Sequence, residues 1–130
     1  MSRKPIAIGL LICEQVIVEE TTRNVTPVNC WSRRAYPGFP SEPETLVAFA
    51  FLTGGLGEMS LEVVVHSLDN WDVVRRLTHA SRFDNVLQEY RCTFRIRHMT
   101  FPSAGDYQVS ILADEEILAQ RILKIREQLP

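Results

Sequence analysis

Apolar and polar residues alternate along most of this chain with a period of two. From Tyr90 to Met99 the pattern is clearest: Tyr90, Cys92, Phe94 and Ile96 fall on one side, and Arg91, Thr93, Arg95 and Arg97 on the other. That alternation predicts a strand with one face on a core and one in water. The segment after it reads Phe101-Pro102-Ser103-Ala104-Gly105-Asp106-Tyr107-Gln108-Val109-Ser110-Ile111-Leu112. Pro102 and Gly105 mark a turn, and a strand follows with Tyr107, Val109 and Ile111 facing inward. Ala113-Asp114-Glu115-Glu116 predicts a tight turn, and Ile117 to Ile125 a closing strand in which Arg121 marks partial exposure.

Upstream, Ile6 to Cys13 is apolar at nearly every position, which predicts a central strand buried on both faces. Gln15 to Glu20 continues with Val16 and Val18 on one side, and Thr21 to Asn24 is a polar turn. Val25 to Arg34 reads as one strand with Pro27 at a bulge or edge. Residues 35–44 hold Pro37, Gly38, Pro40 and Pro43 around Tyr36 and Phe39, a loop expected to cross between sheets with its aromatics capping the core. Leu46 to Leu52 is a strongly apolar strand. Thr53-Gly54-Gly55-Leu56-Gly57-Glu58 is expected to be a hairpin turn, and Met59 to Leu68 the return strand. Val73 to Leu77 reads as a short strand and Thr78 to Gln88 as irregular or one helical turn. Strand follows strand with no amphipathic helix between them. The expected fold is therefore all-β: an antiparallel immunoglobulin-like β-sandwich of about eight strands, one domain over residues 1–130.

Composition adds limits on function. The chain has 130 residues, 45% hydrophobic and 23% charged, with a formal net charge of −2. That is ordinary globular composition, and no bulk charge points to nucleic acid or a membrane surface. No apolar run approaches the length that spans a bilayer, and the apolar run after Arg3-Lys4 is short, entered by Pro5 and ends Ile12-Cys13, unlike a cleaved signal; a cytoplasmic protein is expected. Cys13, Cys30 and Cys92 lack metal-type spacing and read as free thiols, although a Cys30–Cys92 bridge across a sandwich is open in principle.

Motifs for chemistry are absent where they would be needed. The glycines at 54, 55 and 57 precede a strand and no Lys-Ser/Thr, so they do not form a phosphate cradle. His66, His79 and His98 share no ligand spacing, no nucleophile elbow is present, and Asp114-Glu115-Glu116 lacks a second acidic loop for calcium. The expectation is no enzyme, no cofactor and no metal.

What stands out is the arginine usage: 12 Arg against Lys4 and Lys124. From Trp71 to His98 six Arg face Asp72, Asp84 and Glu89, a local excess of three positive charges (6 − 3). Arg91, Arg95 and Arg97 project from one strand face and are the candidate partner-binding residues, with Glu14, Glu19, Glu20, Glu42 and Glu44 as a complementary patch in the N-terminal third. The competing reading is an exposed strand charged against aggregation.

The opening strand ending Cys13-Glu14, the run Phe51-Leu52-Thr53-Gly54-Gly55-Leu56-Gly57-Glu58 and the late Phe101-Pro102-x-x-Gly105-x-Tyr107 resemble a family of small uncharacterised bacterial proteins, domains of unknown function. Glu14 stands where that family has Asp, and the 69–90 region is longer and richer in Arg. The resemblance implies the sandwich fold and no assigned activity. The reading of the chain is thus a non-catalytic interaction module contacting a protein partner or a second copy as a homodimer. The alternative is a small-ligand or carbohydrate-binding sandwich using the 35–44 loop, with Tyr36, Phe39 and Trp31.

Overall fold

In the computed structural model, which describes residues 2–129, ten strands and no helix carry the chain. They are β1 (Ile6–Cys13), β2 (Gln15–Val18), β3 (Val25–Val28), β4 (Arg33–Tyr36), β5 (Glu44–Thr53), β6 (Gly57–Ser67), β7 (Val73–Phe83), β8 (Tyr90–Met99), β9 (Gly105–Ala113) and β10 (Glu116–Glu127). A three-stranded sheet, β1-β5-β8, faces a five-stranded sheet, β4-β10-β9-β6-β7. All pairings are antiparallel except β4 with β10. The immunoglobulin-like sandwich expected from the alternation is the observed fold, with ten strands in place of about eight.

The core is what the period of two dictates. Leu10 and Ile12 from β1, Leu46, Ala48, Ala50 and Leu52 from β5, and Cys92, Phe94 and Ile96 from β8 meet Met59, Leu61, Val63 and Val65 from β6 and Tyr107, Val109 and Ile111 from β9. Tyr107 anchors one corner: its hydroxyl donates to the Ser103 carbonyl at 2.6 Å, the tyrosine-corner arrangement of immunoglobulin-like sandwiches. Gly105 makes that corner possible. Its φ is 155°, a region open essentially to glycine, and a Cβ there would run into the Asp69 carboxylate. Asp114 and Glu115 both take positive φ, 44° and 71°, which closes the β9–β10 hairpin tightly with the twist antiparallel strands need.

Four expectations need correction. β1 is not doubly buried: it is an edge strand, and Ile6 and Ile8 are 64% and 54% exposed. Gly9, at φ 69°, shifts the β1–β5 register between Ile8 and Leu10, so the apolar run is bulged. Residues 25–34 form two strands, since Asn29 takes φ 53° and breaks the extended run before β4 joins β10. The glycines after β5 do not close a hairpin; β5 and β6 lie in different sheets, and the glycines carry the crossover. Finally, β7 runs on to Phe83 where an irregular segment was expected. The 35–44 loop does cross between sheets, from β4 to β5, with a cis Phe39–Pro40 peptide.

The β2–β3 hairpin is a small third layer. Cys13, Val47 and Phe49 point away from the central core and form a second buried cluster, packed by Val16 and Val25 of the hairpin and by Phe51. The hairpin therefore covers part of the outer face of the three-stranded sheet.

Candidate functional site

The two outer faces of the sandwich differ in how far their charges are paired. On the five-stranded sheet most arginines have a carboxylate partner, although Arg33 and Lys124, opposite one another on β4 and β10, have none among the described residues. Glu62 on β6 lies 3.6 Å from Arg76 and accepts from the Thr78 hydroxyl at 3.2 Å, both on β7. Arg82 reaches Glu58 at 3.8 Å and Asp84 at 3.1 Å, and Arg126 reaches Asp106 at 2.9 Å.

The three-stranded sheet is otherwise. Register places Arg91 beside Phe51, Thr93 beside Phe49 and Arg95 beside Val47, all on the outer face, and Arg97 continues the row. The arginines sit there because the inward positions between them, Cys92, Phe94 and Ile96, are claimed by the core. All three arginines are exposed, and among the described residues none has a carboxylate within ion-pair distance. The same face carries a groove of about 280 Å³, floored by Ile8, Leu11, Phe49 and Phe51 and walled by Val25 and Pro27 of the hairpin. An apolar groove and a row of unpaired guanidinium groups thus share one sheet face. The row is where the sequence places it. The groove is not legible there; Gly9 inside an apolar run is the one signal of the bulge beside it.

The acidic patch expected to complement the arginines is partly used inside the fold. Arg34 on β4 bonds Glu14 at 3.2 Å and Glu44 at 3.0 Å, while its guanidinium lies 4.2 Å from the centre of the Trp31 ring. Asn29 also donates to Glu14 at 2.7 Å. Glu14 and Glu44 are therefore sheet-joining groups, because β4 belongs to one sheet and Glu44 opens a strand of the other. Glu19 is turned to its own turn, bonded to Thr22, which holds its carboxyl below the usual range.

The aromatics of the 35–44 loop fill the end of the core. Tyr36 is buried, with Phe39 edge-on at 6.2 Å and Phe101 at 5.9 Å, and Phe101 meets Tyr107 at 5.0 Å. Burial and the nearby Glu44 carboxylate raise the Tyr36 hydroxyl well above its ordinary value. Trp31 lies against Arg34, its buried Nε1 without a partner. These rings pack on neighbours of their own chain.

The remaining reactive groups are dispersed. His66 stacks on Trp71 at 5.3 Å and His79 on Phe94 at 4.5 Å, in different parts of the sandwich. Cys92 lies in the core, where burial pushes its thiol up to about 12; Cys30 is exposed, and all three thiols are free. Among the described residues no three His, Cys, Asp or Glu side chains converge as ligands.

Comparison with known proteins places the chain by family and not by activity. Residues 9–126 match the model described as "Family of unknown function (DUF6941)". No curated protein matches. Among solved structures, the chain is similar to the CARDB domain of the PF1109 protein from Pyrococcus furiosus, a complex with di-metal ions. The identity is 14% and the TM-score 0.42, covering 95% of this chain and 90% of that one.

Proposed function

The chain belongs to this family of unknown function, and we propose that it acts as a non-catalytic protein-interaction module whose contact face is the outer face of the three-stranded sheet. The observation that carries the reading is the coincidence on one face of an apolar groove with Arg91, Arg95 and Arg97, which stand unpaired, while Arg76, Arg82 and Arg126 on the other sheet are paired with carboxylates. The partner that fits is a protein surface with carboxylates flanking apolar side chains. Arg is suited to this, because its planar fork grips carboxylates and its weak hydration tolerates contact with apolar neighbours. Ile6, Ile8 and Phe51 would supply the dry centre and the arginines a charged rim that steers encounter.

A photo-crosslinking side chain placed at Ile8 tests the reading in the native cell, with Thr78, exposed on the other sheet, as the comparison position. A distinct protein adduct at Ile8 and none of that identity at Thr78 is the expected result. The same adducts at both positions, or none at Ile8, would count against this face as the interface.

A further inference from the structure

The edges of the two sheets are not equally guarded. On β1, the Leu10 carbonyl accepts from Arg121 of the opposite sheet at 3.0 Å, and the Ile12 carbonyl accepts from the Trp31 amide at 2.9 Å. On β8, the Arg97 and His98 carbonyls accept from Arg75. The edge strand β4 has only four residues. That leaves β7: eleven residues long, paired with β6 along one side only, with one register shift near its start, where Arg75 pairs with Val65 and Val73 with His66. Such an edge is a template for another strand unless charge or distortion blocks it. Charge blocks it weakly here, since Arg76 and Arg82 are paired with Glu62, Glu58 and Asp84, and Arg75 is turned across to β8.

We propose that β7 is a self-association edge, pairing antiparallel with β7 of a second copy about a two-fold axis at Thr78, so that two five-stranded sheets join into one. The strand's own sequence suits a second copy of itself. With Thr78 opposite its copy, Arg76 faces Ala80, Arg82 faces Val74 and Arg75 faces Ser81, so every arginine meets an uncharged residue. Sliding by two residues one way puts Arg76 opposite Arg82, like charges directly opposite, and sliding either way cuts the paired length from eleven residues to nine. The sequence thus selects one register. On the inner side, Leu77 and His79, both half-buried, would meet across the axis and lose their remaining exposure. Main-chain hydrogen bonds supply the affinity in strand addition, and the two-fold makes the interface closed, so the product is a dimer and not a fibre. This edge is separate from the arginine face, and either can be correct without the other.

The test uses the full chain. Light scattering at micromolar concentration should give a mass near twice 14.9 kDa. In a Cys30→Ser background, Thr78→Cys should form an intermolecular disulfide on mild oxidation, because residues opposite one another on antiparallel strands have Cα atoms about 4.5–5.5 Å apart, within disulfide reach. Ala80→Cys should not, because it and its copy are offset by four residues, about 13 Å. A monomeric wild type, a Thr78→Cys variant that stays monomeric on oxidation, or equal crosslinking at both positions would overturn the proposal. Substitution of Arg91, Arg95 and Arg97 should leave the mass unchanged.

Discussion

The guanidinium of Arg121, on β10, donates to the Leu10 carbonyl on β1, a bond of 3.0 Å between strands of opposite sheets and 111 residues apart in sequence. Arg75 does the same on the other side, from β7 to the Arg97 and His98 carbonyls of β8, and Arg34 ties β4 to Glu44 at the start of β5. Three arginines therefore lace the two sheets together where their edges would be open. Each bond involves a charged donor, for which a net contribution of about 1.5–3 kcal/mol is typical when desolvated and less when partly exposed. Arg121→Ala is expected to lower unfolding stability by about 1 kcal/mol, and the double variant with Arg75→Ala by the sum of the two, since the sites lie on opposite edges. Urea denaturation measures both.

The tyrosine corner predicts a graded pair of effects. Tyr107→Phe removes the bond to the Ser103 carbonyl and should cost about 1 kcal/mol without altering the fold. Gly105→Ala should cost more, because it adds backbone strain at φ 155° to a collision with Asp69. Adding Asp69→Ala to Gly105→Ala should recover part of the loss and leave the strain. Thermal unfolding of the four proteins distinguishes the terms; full recovery would show that strain plays no part.

The turn at Pro102 and Gly105 and the inward Tyr107 were legible in the sequence, because they need only local turn chemistry and the period of two; the bond from Tyr107 to the Ser103 carbonyl was not. The direction of Arg91, Arg95 and Arg97 was legible for a similar reason: β8 has one face in the core and one outside, so its pattern is clean. β7 was not legible beyond Leu77. Its inward positions include Arg75 and His79, which reach β8 across the open side of the sandwich, and Ser81, which bonds the Met59 carbonyl of β6; none carries an apolar signature. β1 misled in the opposite sense. Its outer positions are apolar because a hairpin covers some of them and others border a groove, and no periodicity separates those cases from burial between layers. Nor can local pattern say which partner a carboxylate finds, which is why Glu14 and Glu44 read as part of an acidic patch for a partner and prove to be bound to Arg34.

The cysteines should differ sharply in reactivity. Cys30 is exposed, while burial raises the thiols of Cys13 and Cys92, the latter to about 12. A water-soluble maleimide should modify one cysteine in the native protein, Cys30, and all three in denaturant. Rapid native labelling of Cys92 would contradict the placement of β8 in the core.

His79 gives the fold a pH dependence. Its ring stacks on Phe94, and burial lowers its pKa, so the folded protein holds it neutral. The unfolded chain binds a proton there more readily, with an ordinary value of about 6.5. Stability from this site is therefore complete above about pH 6.5 and is lost as pH falls through that value toward the lower folded one. Tyr90, whose hydroxyl lies 3.5 Å from Nε2, stays neutral throughout this range and does not compensate. Denaturation midpoints measured from pH 8 to pH 5 should decline, and His79→Gln should flatten the decline.

The arginine face is the centre of the functional account, and its most direct measurement is the affinity of the partner crosslinked at Ile8 for the wild type and for the Arg91→Gln/Arg95→Gln/Arg97→Gln variant across salt concentrations. Exposed, unpaired arginines at an interface predict weaker binding of the variant, with equal folding stability and a shallower dependence of affinity on salt. Equal affinity and equal salt dependence for the two proteins would contradict the account.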